Sequence, residues 1–199
     1  MKKLIFFGKH MEIGGLEKSL LNLLNSLDPT KYTVELVLEE LHGPLLEQLA
    51  DHITVTEYRL SSCPFVPLRK VLNFTKRMLW KIQHGNKYDF SCSYCTYSVI
   101  GSRLAQYASS NSCLYVHNDY TTIYPDHAEF EAFFSQLRTD RFRHVLFVSN
   151  ESKAAFTEQL PMYADKCDVV NNIVEHVARQ LEEAEKIQRE EGSEEPDHP

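Results

Sequence analysis

No apolar run in the 199 residues approaches the roughly 18 that a membrane-spanning helix requires. The start, Met1-Lys2-Lys3 followed by Leu4-Ile5-Phe6-Phe7, is too short for the apolar region of a signal peptide, and Gly8-Lys9-His10 ends it. It reads instead as a first β-strand, and a cytoplasmic location is expected. An excess of basic residues is also missing. The net charge is −7, of which residues 182–199 carry −6 through eight acids and two bases. The rest of the chain is nearly neutral, so a nucleic-acid partner is not expected, and the acidic end reads as a solvated helix end. Cysteine is scarce and odd in number: Cys63, Cys92, Cys95, Cys113 and Cys167, which excludes a disulfide framework. Cys92 and Cys95 form a single C-x-x-C with no second pair and no histidine at finger spacing, where zinc needs about four ligands. They read as two small residues on a strand and the turn after it, and no metal is expected.

What remains is the composition of a globular domain, 43% hydrophobic and 25% charged, with ample length for one core. Short β-rich runs at 3–8, 33–39, 53–58, 88–93, 112–117, 144–149 and 167–171 alternate with helical periodicity at 15–27, 43–51, 67–84, 97–109, 126–140 and 150–160. A last helix is expected over 174–191, and the prolines of 60–67 mark the clearest loop. Such alternation implies right-handed βαβ units. The fold class is therefore α/β: a Rossmann-like, doubly wound, mostly parallel sheet of about seven strands with helices on both faces. Residues 1–174 form the domain, and 175–199 a C-terminal helix and acidic tail. Ligands of such sheets sit at the carboxyl ends of strands. This directs attention to Gly8–Gly15, Tyr94–Thr96, His117–Tyr120, Ser149–Ser152 and Asn171-Asn172.

Gly14-Gly15 stands directly before a helix. Glycine permits positive φ and close ligand approach, and a helix N-terminus offers free N–H groups to a phosphate, carboxylate or sugar hydroxyl. The spacing matches neither the P-loop nor the dinucleotide fingerprint. A plain strand-to-helix turn that needs small residues is the alternative.

The stretch GGLEKSLLNLLNSL at 14–27 resembles the N-terminal signature of family 4 glycosyltransferases, in which Gly-Gly-x-Glu opens the first helix. YVHNDY at 115–120 resembles that family's strand ending in a histidine, FVSNESKAAF at 147–156 its strand–turn–helix, and VVNNIV at 169–174 the end of its N-terminal domain. The order is the family's own, across nearly the whole chain. The resemblance implies the N-terminal, acceptor-binding domain of a GT-B enzyme. Such an enzyme moves a sugar, hexosyltransferase-like, from a nucleotide-sugar to a saccharide or lipid-linked acceptor with retention, in cell-surface polysaccharide or glycan synthesis. It implies no cofactor beyond the nucleotide-sugar co-substrate, and a separate C-terminal donor domain that the sequence lacks. Glu182 and Glu190 are eight apart but lie in a charged helix outside any second Rossmann half, and they receive no role. The chain is thus expected to be half an enzyme, inactive alone. A non-catalytic Rossmann-like module binding a polar ligand or a protein is the reading from another class.

By the resemblance, His117 touches the donor sugar or the reacting centre, and Gly14, Gly15, Glu17, Asn118 and Asp119 surround donor or acceptor. Glu17 serves the helix dipole equally well. Asp119, Ser149 and Asn150 are also N-cap candidates, and no catalytic base is assigned. Residues 68–82 form a second informative piece. Leu68, Val71, Leu72, Met78, Leu79 and Ile82 share one helical face; Arg69, Lys70, Lys76, Arg77 and Lys81 lie off it, with Phe74 and Trp80 at its flanks. Either the stripe packs on the sheet, or this basic, aromatic-flanked surface touches anionic lipid or a lipid-linked acceptor, which would bring the protein to the inner face of the membrane.

Overall fold

The computed structural model describes residues 1–173. Seven strands, β1 (Lys2–Gly8), β2 (Tyr32–Leu38), β3 (Ile53–Glu57), β4 (Phe90–Ser93), β5 (Ser112–Val116), β6 (His144–Phe147) and β7 (Cys167–Val169), form one sheet in the order β3-β2-β1-β4-β5-β6-β7. Every neighbouring pair is parallel. The central strand β1 pairs with β2 on one side, Leu4 facing Val34, and with β4 on the other, Leu4 facing Phe90. Its run Leu4-Ile5-Phe6-Phe7 is buried throughout, because a central parallel strand is covered on both faces.

Five helices connect the strands: α1 (Gly15–Asn25), α2 (Val66–His84), α3 (Val99–Ala108), α4 (His127–Gln136) and α5 (Asn150–Gln159). The two-residue period of β1 divides the core between the faces. Leu4 and Phe6 join Leu20, Leu21 and Leu24 of α1. Ile5 and Phe7 join Trp80 of α2, Leu104 of α3, Phe130 and Phe134 of α4 and Phe156 of α5. This segregation follows from right-handed crossovers, since the chain winds one way from β1 to β3 and the other way from β4 to β7. On the α1 face, beyond that helix, a groove of about 520 Å³ crosses β1, β4 and β5, lined among others by Phe6, Phe90, Cys113 and Tyr115.

Two expected helices differ. The span 43–51 contains only a 3-10 turn, Pro44–Gln48. Gly43 enters it at φ 118°, and the short link from β2 to β3 has room only to tuck Leu45 into the core. Helix α4 stops at Gln136 rather than running to 140, and Arg138 turns left-handed at φ 55°. There Thr139 Oγ1 donates to the Phe134 carbonyl at 2.7 Å, and Gln106 Nε2 donates to those of Leu137 and Arg138. Cys92 lies buried on β4 and Cys95 in the turn after it. Among the described residues no group of three or more His, Cys, Asp or Glu clusters as a metal site would. The expected helix 174–191, with Glu182 and Glu190, lies outside the described residues.

Candidate functional site

The winding direction of the sheet reverses between β1 and β4, so a crevice opens beyond their carboxyl ends. The loop after β1 crosses this crevice. It is pinned to the loop after β2: Met11 N–H donates to the His42 carbonyl at 2.9 Å, and Leu45 N–H donates to the Met11 carbonyl at 3.1 Å. The pinning requires Gly43. A Cβ there would lie 2.1 Å from the Met11 carbonyl carbon, and its φ of 118° already disfavours other residues. Gly43 was not singled out in the sequence, because it belongs to no motif, and its role exists only once two loops meet.

Gly14 is the N-cap of α1, at φ −147° and ψ 163°. Neither glycine of the pair adopts positive φ, so the conformational reason expected for them does not hold. Space bears on Gly14 alone. A Cβ on Gly14 would lie 2.2 Å from Glu17 Oε2, whereas one on Gly15 would meet nothing within 4 Å. The buried Glu17 carboxylate therefore lies over Gly14, with Glu17 Oε1 3.7 Å from His10 Nδ1, and Gly15 presents the open backbone. Helices α3, α4 and α5 are capped by Ser98, Asp126 and Ser149 side chains, whereas α1, like α2, has no side-chain cap. Its leading N–H groups are left for a ligand or water.

His117 follows the last residue of β5. Its ring rests between Tyr94, 4.4 Å away centroid to centroid, and Tyr115, 4.3 Å away. Tyr94 extends the contact to α1: its hydroxyl lies 2.6 Å from Ser19 Oγ, and its N–H donates to the Phe7 carbonyl at 3.0 Å. Tyr115 donates to the Val170 carbonyl at 2.5 Å, so the aromatic group also fixes the chain's exit from β7. Both ring nitrogens of His117 are buried without a hydrogen-bond partner. Burial pushes the imidazole down to about 4, and the nearby Tyr94 backbone offsets only part of this. At neutral pH the ring is uncharged, able to donate from one nitrogen and accept at the other; the Tyr94 backbone lies close to it, but neither nitrogen makes a well-formed hydrogen bond among the described residues.

The structure thus brings Gly14, Gly15, Glu17 and His117 to one end of the sheet. Asn118 and Asp119 follow His117 on the exposed rim. Asp119 caps no helix: its Oδ1 accepts from Thr121 N–H at 2.9 Å and Thr121 Oγ1 at 2.6 Å, which closes a turn. Ser149 caps α5 through the Ser152 N–H at 3.2 Å, and Asn150 is the first residue of that helix. The residues of α2 do not join this site. Nor does its stripe pack on the sheet, one of the two readings of the sequence: Leu68, Val71, Leu72, Leu79 and Ile82 are exposed, Met78 is half-buried, and Trp80 alone is buried.

The sequence matches the model of glycosyltransferase family 4 over residues 13–177. The chain belongs to that family. A search of curated proteins finds no match. Among solved structures, HepE of Anabaena in complex with UDP and glucose is similar at a TM-score of 0.63 and 16% identity, over 86% of this chain and 45% of that one. HepE with UDP-glucose gives the same TM-score and identity, over 86% and 44%. The lipopolysaccharide outer core galactosyltransferase WaaB, in its apo form, is similar at 0.50 and 13%, over 85% and 45%. At these identities the likeness is one of fold: the family 4 chain has the Rossmann-like architecture of GT-B glycosyltransferases. It spans less than half the length of HepE and WaaB.

Proposed function

We propose that this family 4 domain is the acceptor-side half of a retaining, hexosyltransferase-like glycosyltransferase. Its donor is a nucleotide-sugar, and its acceptor a saccharide or lipid-linked glycan of the cell surface, handled on the cytoplasmic side of the membrane. A C-terminal domain would complete the donor site, and no cofactor or metal would take part. The observation that carries the reading is the unpartnered, neutral His117 at the crevice that also holds Gly15 and the uncapped start of α1. Two sugar hydroxyls, one accepting from the ring N–H and one donating to the bare nitrogen, satisfy a buried neutral imidazole, whose nitrogens otherwise lack the partners buried polar groups have. Gly15 N–H and the α1 N-terminus suit a phosphate oxygen, while the Glu17 carboxylate over Gly14 accepts from sugar hydroxyls. Asn118 and Asp119 on the rim are placed for the acceptor. In the closed enzyme these groups position the reactants and stabilise charge as the glycosidic bond breaks.

A titration of UDP-glucose into isotopically labelled protein tests this. Amide shifts confined to residues 9–17, 94–96 and 117–119 are expected, lost in His117→Ala, together with no measurable sugar transfer by residues 1–199. Shifts elsewhere would remove the crevice from the reading. Rapid turnover by the chain alone would overturn its status as half an enzyme.

A further inference from the structure

The two faces of the sheet are covered unequally. On one face α3, α4 and α5 pack over β4 to β7. On the other, α1 and the 3-10 turn that buries Leu45 lie beside β1 and β2, and no further helix among the described residues joins them. Strand β6 shows the difference: Val145 and Phe147, on the first face, are fully buried, whereas His144 and Leu146, on the second, are only half-buried. The groove of about 520 Å³ occupies this second face. It runs along the strands, from Lys2, Asp89 and Asn111 at their amino ends to Tyr115, Leu146 and Val170 nearer their carboxyl ends. A parallel sheet is ordinarily covered on both faces, and an apolar groove along one of them has room for one more helix. The chain itself arrives there. It leaves β7 at Val170, which forms part of the groove wall and is 46% exposed, and the Tyr115 hydroxyl fixes the Val170 carbonyl. In the sequence that follows, Val174, Val177, Ala178, Leu181 and Ala184 share one helical face, and Glu175, Arg179, Glu182 and Glu183 fall on the opposite one.

We infer that residues 174–184 form a helix seated in this groove, which completes the second face of the sheet. The lengths agree: as a helix those residues span about 16 Å, and the β5 strand beneath them spans about 17 Å. Running from Val170 toward the amino ends of the strands, the helix sets Val177 against Leu146 and Leu181 against Phe90. Glu185, the next residue on that face, then reaches Lys2, which forms no ion pair among the described residues. Asp89, the acid at that end, is already engaged, its Oδ2 accepting from Lys3 N–H at 2.7 Å. The segment is favoured over a second copy of the chain because it is tethered at the rim of the groove, which holds it there at millimolar effective concentration. Tyr115 lines the groove and also touches the His117 ring, so the docked helix backs the aromatic group behind the crevice.

Nuclear Overhauser contacts and amide exchange in the full 199-residue chain test the inference. Contacts from the Val177 and Leu181 methyls to Leu146 and Phe90 are expected, together with slow exchange of the residue 178–184 amides. In Val177→Asp/Leu181→Asp the contacts should vanish and that exchange should rise at least about tenfold, while Glu183→Gln on the polar face leaves both unchanged. The strand amides report whether the double variant keeps its sheet; if it does not, the contacts in the unaltered chain decide. Absence of those contacts, contacts to another surface, or exchange equally fast in the unaltered chain and the double variant would overturn the inference. So would contacts seen only between differently labelled chains in a mixed sample, which would place a second copy in the groove. Neither measurement requires sugar transfer, so failure here leaves the proposed function intact.

Discussion

Helices α1 and α2 carry the same kind of amphipathic pattern and use it in opposite directions. In α1 the apolar face is buried: Leu20, Leu21 and Leu24 pack on the sheet, and even Ser19 and Glu17 are covered. In α2, nearly twice as long, only Trp80 is buried. The difference lies in the sheet each helix meets. Beside β1 and β2 the sheet face is open, and α1 is the helix that covers it. On the other face, α3, α4 and α5 supply Leu104, Phe130, Phe134 and Phe156, and α2 is left at the perimeter. One large anchor holds it there, the Trp80 ring edge-on to Phe7 at 5.8 Å and to Tyr58 at 6.4 Å. A hydrophobic stripe therefore states that a helix has an apolar side; the neighbours decide what that side meets.

The comparison breaks most sharply at the anchor. Trp80→Ala is expected to cost about 3–5 kcal/mol in urea unfolding, and Leu20→Ala in α1 about 2–5 kcal/mol, while Leu79→Ala should stay within about 0.5 kcal/mol. A loss for Leu79→Ala as large as that for Leu20→Ala would mean the α2 stripe is buried after all. Next comes the loop pair that shapes the crevice at the start of α1. Gly43→Ala must escape both a left-handed backbone and a collision with Met11, and a loss of about 3 kcal/mol is expected. It should be accompanied by movement of the residue 9–15 amide resonances while those of α2 stay in place.

A pH-dependent effect concerns His117. Its folded value of about 4 lies below the ordinary 6.5, so the unfolded chain takes up the proton first. The contribution is full above pH 6.5 and is lost as the pH falls toward 4. Unfolding free energies from denaturant titrations across that window should drop by about 3 kcal/mol from this group. His117→Phe, which keeps a ring between the two tyrosines, should flatten the slope. An unchanged slope would mean that the ring is solvated in the folded protein.

Much of the fold was legible before the structure. The alternation of β-rich and helical runs yields the parallel sheet because strands covered on both faces must be apolar throughout, as Leu4–Phe7 are. The ends of helices were readable where a side chain supplies the cap, as Ser149 does for α5. What escaped was long-range. Nothing around Gly43 announces that its backbone will meet Met11, and the pattern of 68–82 holds no sign of which way it faces. At the site, Gly14 and Gly15 were legible as residues and only partly as reasons: neither takes positive φ, Gly14 leaves room for the Glu17 carboxylate, and Gly15 faces open space. The partnerless state of His117 was beyond reach, since it depends on Tyr94 and Tyr115 arriving from two strands.

The place of β1 at the centre of the sheet has a consequence in time. Its partner β2 follows almost at once in the chain, whereas its other partner, β4, arrives only after β3 and the whole of α2, so that Leu4 must find Phe90. Pairing across a long intervening chain carries the larger closure entropy and forms slowly. Both halves, β1–β3 and β4–β7, pair strands that are neighbours in sequence, so the β1–β4 seam and the crevice over it are expected among the last features to be made.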